Sequence, residues 1–142
     1  QVGMYTTTPH SALTVAGNIT PNVDNSTDIG EASYRWDDVY ATNGTIQTSD
    51  AREKTEIKTA DLGLDFLMRI RPVSFKRRGG SRTHYGMIAQ QIESILGGKD
   101  FAGLIYDEKS DRYGLRYDEF VAILIKSVQE LTTRVQQLEA LV

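Results

Sequence analysis

Few side chains in this sequence have the type and spacing needed for covalent chemistry. The chain has no cysteine, which excludes disulfides, thiolate zinc sites and cysteine nucleophiles, and its only histidines are His10 and His84. It also lacks the nucleophile elbow, HExxH, SxxK and phosphate-loop motifs. Most of the familiar enzyme classes are therefore not indicated.

One short segment does combine a hydroxyl with an amine. Residues 48–54 read Thr-Ser-Asp-Ala-Arg-Glu-Lys and place Ser49 five positions before Lys54. That spacing is common by chance, so alone it is a weak signal. The segment matters because the composition of the chain changes at this point.

Other possible sites have simpler interpretations. Gly97-Gly98-Lys99 lacks the spacing of a phosphate loop and is interpreted as a helix stop. His84 has no second histidine near it, so a packed or surface histidine is favoured over a metal ligand. A basic group flanks a Gly-Gly pair and is interpreted as a solvated hairpin tip rather than an anion site. Its members are Lys76, Arg77, Arg78 and Arg82. We predict neither a metal nor a cofactor.

The 142 residues divide into two parts of different composition. Residues 1–48 contain one basic and five acidic residues, net −4, whereas the rest contains 15 basic and 14 acidic residues, net +1. The total charge of −3 gives no overall attraction to nucleic acid or to an anionic membrane. No apolar run approaches the roughly 20 residues needed to span a bilayer. We predict no nucleic-acid or membrane partner. Because the sequence begins with Gln1 and shows no signal peptide, we also expect it to be a piece of a longer protein.

Residues 1–48 have the pattern of short strands and turns. Residues 12–15, 18–20 and 44–48 mix β-branched and polar side chains between glycine, proline and asparagine. Burial of the few large apolar side chains in this part could hardly offset the conformational entropy that 48 residues lose on folding. We therefore expect this part to fold only within a multimer. A disordered linker is the alternative, less favoured because a group of large side chains resembles residues that pack. The group is Tyr34, Trp36, Val39 and Tyr40.

Residues 49–117 predict a compact α+β unit. Helical spacing is found over 60–70, ending before Pro72, and over 87–96, ending at Gly97. Strands are predicted over 73–78 and 82–85 around Gly79-Gly80, and over 104–106 and 113–117 around a polar run. The fold class is therefore α+β, with two helices and two hairpins in this unit.

The last part, residues 118–142, has the clearest periodicity. Apolar residues alternate steps of three and four over three heptads, as in the a/d seam of a coiled coil. The seam consists of Val121, Leu124, Val128, Leu131, Val135, Leu138 and Val142. We predict a long self-associating helix. An amphipathic helix packed on its own core is the alternative, and valine at a with leucine at d does not by itself settle the number of strands.

These motifs, taken in order, resemble a known family. The segments are Asp28-Ile-Gly, Tyr34-Arg-Trp36, Val39-Tyr40, Thr48-Ser49-Asp50-Ala-Arg52 with Lys54, His84-Tyr-Gly86-Met-Ile-Ala89-Gln90, Gly114-Leu-Arg-Tyr117 and the terminal helix. They resemble the junction of phage tail-spike, tail-fibre or neck-appendage proteins with their intramolecular chaperone, the S74 peptidase family. The likeness covers nearly the whole chain. One departure is Glu53, where the family usually has an apolar residue, and it could place a carboxylate beside the active residues.

The resemblance implies both an architecture and an activity. Residues 1–48 would be the end of a β-rich trimeric fibre or spike, 49–117 the chaperone domain and 118–142 the coiled-coil helix. The chaperone would trimerise, guide folding of the upstream fibre of the same chain and then release itself with a Ser49–Lys54 dyad. This would occur in the host cytoplasm, and the mature upstream part would belong to the virion tail or appendage.

The implied chemistry is physically reasonable. A serine hydroxyl needs a base, and a lysine can act as that base only where desolvation or nearby cations lower its pKa from about 10.4. Attack by Ser49 on the carbonyl of Thr48 passes through a five-membered ring to an ester, which cuts between Thr48 and Ser49. A cut between Ser49 and Asp50 would instead need a neighbouring chain's serine or water.

Two further functions compete with self-cleavage. The chain could be a non-cleaving trimerisation module of a fibre, in which Ser49 is only a cap or turn residue. Related domains also occur in membrane-anchored transcription regulators, but the charge of residues 1–48 and the missing membrane span and DNA-reading motif disfavour that function here.

Overall fold

The computed structural model describes residues 2–4, 7–8 and 11–142, so that His10 lies outside the described residues. Within this range the chain forms two compact units, residues 1–39 and 40–142. The break between Val39 and Tyr40 precedes the change in composition at residue 48. The assignment of residues 1–48, 49–117 and 118–142 to separate functional parts stays a prediction.

The first unit contains little regular structure. Strand β1 (Val2–Met4) pairs in parallel with strand β2 (Leu13–Val15), and an isolated bridge joins Glu31 to Tyr34. The strand predicted over 12–15 is confirmed, but the strand predicted over 18–20 is wrong for the single chain. A strand is stable only where a neighbour pairs its backbone groups, and this segment has no such neighbour among the described residues.

Large apolar side chains of the N-terminal part are exposed. Tyr34 and Trp36 in the first unit are 79% and 68% exposed. Tyr40 and Ile46, at the start of the second unit, are both more than 90% exposed, and the strand predicted over 44–48 is likewise wrong for the single chain. The large side chains Tyr34, Trp36, Val39 and Tyr40 were expected to pack, and within one chain this expectation is not met.

The rest of the second unit is the predicted α+β domain. It contains helix α1 (Leu64–Arg69), hairpin β3 (Val73–Lys76) with β4 (Thr83–Gly86), helix α2 (Ala89–Leu96), hairpin β5 (Leu104–Asp107) with β6 (Arg112–Leu115), and helix α3 (Phe120–Glu139). Both hairpins are antiparallel, and each is a separate two-stranded sheet. Gly97 ends α2 in the left-handed region with φ 59°, as its interpretation as a helix stop predicts.

The core of this domain lies between the helices. Phe66 of α1, Ile92 of α2 and Phe120 and Ile123 of α3 form its buried centre. Phe101 is partly buried against this centre and makes edge contacts with the rings of Phe66 and Phe120. The first turns of α3 are therefore part of the domain core rather than a separate extension.

One carboxylate in the middle of α3 joins this helix to the start of α1. Glu130 of α3 accepts a hydrogen bond from the backbone N–H of Leu64 at 2.8 Å and pairs with Lys126 at 2.9 Å. A Cβ at Gly63 would lie 2.6 Å from a carboxylate oxygen of Glu130, so a larger residue there would displace this carboxylate. The first N–H of α1, which has no partner within the helix, is satisfied in this way.

Candidate functional site

The segment that contains Ser49 and Lys54 folds into a tight turn. A single 3-10 turn, Ala51–Glu53, begins after Asp50, whose carboxylate accepts a hydrogen bond from the backbone N–H of Arg52 at 2.9 Å. The guanidinium of Arg52 donates to the same carboxylate at 2.6 Å. The N–H of Lys54 donates to the carbonyl of Ala51 at 3.2 Å, which closes the turn.

The turn brings the two candidate reactive side chains together. Lys54 Nζ lies 2.6 Å from Ser49 Oγ, within the range expected for a nucleophile and its base. Both side chains are exposed in the single chain. The structure thus supplies the contact that a Ser-Lys dyad needs, but one chain alone does not remove its lysine from water.

The charges of the turn stabilise its shape. The guanidinium of Arg52, followed by the backbone N–H of the same residue, lowers the pKa of Asp50 below its usual value. Asp50 therefore remains an ionised acceptor for Arg52 in more acidic solution than an ordinary aspartate would. Glu53, which the sequence suggested as a carboxylate beside the dyad, lies in the 3-10 turn and is not among the residues lining the adjoining pocket.

An open pocket of about 400 Å³ adjoins the dyad. One wall is the segment before and within the turn, and the other is the entry to α3. The lining residues are Gln47, Thr48, Ser49, Lys54, Asp118, Glu119 and Ala122. The carbonyl-bearing residue of the predicted scissile bond, Thr48, is therefore in the same pocket as both members of the dyad.

The α3 wall of the pocket is held by hydrogen bonds to two other segments and by the burial of Phe120. Arg116 donates its backbone N–H to Gly103 at 2.9 Å and its guanidinium to Ala102 at 2.8 Å. The hydroxyl of Tyr117 accepts a hydrogen bond from the N–H of Met87 at 3.0 Å. Phe120, one turn further, is buried in the core. This wall is consequently a fixed part of the domain.

Helix α3 carries two different apolar faces. One face, with Phe120, Ile123 and Ser127, is at most 4% exposed and packs on its own domain. Ser127 satisfies its buried hydroxyl by donating to the carbonyl of Ile123. The other face is the predicted heptad seam, and its members within the helix are 45–65% exposed. They are Val121, Leu124, Val128, Leu131, Val135 and Leu138, while Val142 lies beyond the end of α3.

The remaining candidates behave as ordinary structural residues. The ring of His84 stacks on Phe75 with centroids 5.5 Å apart, and in the described part of the chain no group of side chains could hold a metal ion. The basic group Lys76, Arg77, Arg78 and Arg82 is exposed around the β3–β4 turn. Among the described residues no helix has the length and hydropathy of a membrane span.

Sequence reasoning missed the wall formed by Asp118, Glu119 and Ala122. These residues lie more than 60 positions from the dyad, and no local pattern links them to it. The only available signal was their position directly after the Gly114-Leu-Arg-Tyr117 motif and directly before the core residue Phe120.

A comparison with protein families matches part of the chain. The family model described as chaperone of endosialidase, Peptidase_S74, matches residues 49–101, from the first residue of the dyad to the loop after α2. No curated protein shows significant similarity to the chain. The match begins at Ser49, directly before Asp50, the N-cap of the tight turn. Residues 49–101 of the chain are therefore similar to the Peptidase_S74 family, chaperone of endosialidase.

Proposed function

We propose that this chain is a homotrimeric intramolecular chaperone of a phage fibre or spike that releases itself by cutting between Thr48 and Ser49. Similarity of residues 49–101 to the chaperone of endosialidase family supports the chaperone role. The observation that carries the cleavage is the 2.6 Å contact between Lys54 Nζ and Ser49 Oγ at the start of the family match.

The exposed seam of α3 supports self-association. Six valine and leucine side chains follow one line along a helix of 20 residues, and each of them is 45–65% exposed. An apolar stripe of this length is stabilised when identical stripes pack together as a coiled coil. The exposed aromatic residues of the N-terminal part need a covering surface as well, and neighbouring chains of a trimer would supply it.

The reaction that we propose is an acyl shift followed by hydrolysis. Ser49 Oγ gives its proton to Lys54 Nζ and attacks the carbonyl carbon of Thr48. The C–N bond between Thr48 and Ser49 breaks, the amine of Ser49 receives a proton, and an ester remains between Thr48 and Ser49 Oγ. Water then hydrolyses the ester to give a carboxylate at Thr48 and a free amine and hydroxyl at Ser49.

Assembly would complete the site. A lysine surrounded by water is protonated at neutral pH and cannot take a proton from serine. Both members of the dyad are exposed in one chain, and the dyad's pocket is walled by Ala122, adjacent to the first seam residue, Val121. Packing of neighbouring chains along the seam would therefore exclude water close to Lys54, and cleavage would follow assembly.

The exposure of the dyad also favours a second function. If the assembled chains leave Lys54 in water, Ser49 would not be activated, and the chain would be a non-cleaving trimerisation module. The two functions are distinguished by a denaturing gel of the freshly expressed full chain beside Ser49→Ala. Self-cleavage gives two fragments from the unaltered chain and one intact band from the variant, whereas a non-cleaving module gives one intact band from both.

A further inference from the structure

The pocket beside the dyad contains two carboxylates that sequence reasoning did not find. Asp118 and Glu119 share its lining with Lys54, and no other charged residue lines it. The inference drawn from this arrangement rests on the proposed self-cleavage, because it concerns the base of that reaction.

The two carboxylates differ in their surroundings. Asp118 is exposed, whereas Glu119 is partly buried, and its Cβ lies 3.1 Å from the position that a Cβ on Gly103 would occupy. Among the described residues, no hydrogen bond or ion pair engages the Glu119 carboxylate. A partly buried carboxylate without a partner gains most from a cation in the same pocket, and Lys54 is that cation.

The backbone of Glu119 is firmly held. Its N–H donates to the carbonyl of Arg116 at 3.2 Å, and Arg116 in turn is bonded to Ala102 and Gly103. The next residue, Phe120, is 4% exposed. Glu119 is thus fixed to the domain core, while Ser49 and Lys54 are on a turn fixed by Asp50.

We infer that Glu119 is a positioning residue for Lys54 in the self-cleavage reaction. The ammonium that forms when Lys54 Nζ takes the Ser49 proton has three N–H donors. One points to Ser49, and the Glu119 carboxylate accepts a second. This charge-assisted bond orients the amine toward Ser49 and stabilises the ammonium, which later returns its proton to the departing Ser49 amine.

The other charged groups around the pocket are already engaged or face away from it. Asp50 and Arg52 pair with each other in the turn, and the guanidinium of Arg116 donates to the carbonyl of Ala102. Glu53 is in the turn but outside the pocket lining. Further along α3, Lys126 and Glu130 form their own pair. Glu119 and the exposed Asp118 are therefore the charged side chains with which the α3 wall lines the pocket of Lys54.

The test is the pH dependence of cleavage in the full chain carrying Glu119→Gln, which keeps the shape of the side chain. Loss of one charge-assisted bond should slow the reaction roughly tenfold at its plateau. Loss of the negative charge should also move the half-maximal rate to lower pH, because the neutral amine becomes easier to form. Glu119→Asp should restore the midpoint of the unaltered chain. Glu108→Gln, in the β5–β6 loop, is the matched control and should change neither quantity.

Each other outcome has a defined meaning. Equal rates and midpoints for Glu119→Gln and Glu108→Gln overturn the inference and leave the proposed function intact. Loss of assembly in Glu119→Gln, measured by light scattering, shows a structural role and also overturns it. If the unaltered chain stays whole at every pH, the proposed function fails and the inference fails with it.

Discussion

The hydroxyl oxygen of Tyr117 lies 3.0 Å from the backbone nitrogen of Met87, and it joins two segments that are 30 residues apart. Met87 follows β4, and Tyr117 begins the short 3-10 turn that leads into α3. Gly86 is adjacent, and any Cβ there would overlap the Tyr117 hydroxyl. This contact fixes the entry to α3 and, with it, one wall of the pocket beside Ser49.

A double-mutant cycle should detect this contact as coupling between Tyr117 and Gly86. Tyr117→Phe removes one hydrogen bond and should lower the free energy of unfolding by about 1 kcal/mol. Gly86→Ala should cost more, since its methyl group overlaps the hydroxyl. The double variant should be less destabilised than the sum of the two, because the phenyl ring leaves room for the methyl group. Additive losses in denaturant unfolding would show that the two residues do not interact.

A second prediction concerns the seam of α3. Leu131→Asp together with Leu138→Asp places charges where the proposed coiled coil is apolar, which should cost several kcal/mol per trimer and prevent assembly. The control pair Thr133→Asp and Gln137→Asp adds the same charge at exposed positions off the seam. Light scattering should give a trimer for the control and a monomer for the seam variant. A trimer in both variants would show that the seam does not mediate assembly.

A third prediction links assembly to cleavage. Phe120 and Ile123 belong to the domain core, so removal of α3 would damage the fold itself, and the full-length seam variant is the better test. Cleavage over hours at pH 7 to 9 should be lost in Leu131→Asp/Leu138→Asp and kept in its control. Efficient cutting by the monomeric variant would show that one chain holds the complete site.

The stabilising role of the Glu130 carboxylate should be visible in the pH dependence of folding stability. The Leu64 N–H, followed by Lys126, lowers the pKa of this carboxyl in the folded chain. The contribution of the ionised Glu130 to folding stability is therefore fully present above the pKa that this carboxyl has in the unfolded chain. It is lost as the pH falls through the lower pKa that the carboxyl has in the folded chain. Glu130→Gln should melt at a lower temperature than the unaltered chain at pH 7, and the difference should shrink in acid. A constant difference at all pH values would contradict this role.

Local patterns predicted much of the chaperone domain, because its helices and hairpins are short and marked by their own sequence. The left-handed Gly97 ends α2, and Gly79, at φ 78°, lies in the turn between β3 and β4, so both helix stop and hairpin were predictable. The helix predicted over 60–70 is shorter, Leu64–Arg69, because the backbone of Gly63 is not helical, and Glu130 of α3 accepts a hydrogen bond from the N–H of Leu64. Contacts of this range leave no local signal.

The difference between local and long-range contacts also separates the two parts of the candidate site. Ser49 and Lys54 are joined by a turn of a few residues, so their proximity follows from local structure. Glu119 reaches the same pocket only through the packing of α3 on the domain. The heptad pattern predicted the exposed seam of α3, but it gave no indication of the second face of this helix, through which Phe120 and Ile123 pack on the domain.

The identities of the dyad residues should matter for cutting and not for assembly. Ser49→Ala removes the nucleophile, and Lys54→Ala removes the base. Lys54→Arg should fail as well, because a guanidinium does not deprotonate. All three variants should remain trimeric by light scattering, since both side chains are exposed and outside the core. Normal cleavage in any of them would exclude that residue from the reaction.

Intact-mass spectrometry of the freshly folded full chain tests the central claim, self-cleavage between Thr48 and Ser49, most directly. The account predicts two masses, corresponding to residues 1–48 and 49–142, with serine as the new N-terminal residue, and a single uncut mass for Ser49→Ala. A single uncut mass from the assembled, unaltered trimer, or the same two fragments from Ser49→Ala, would contradict it.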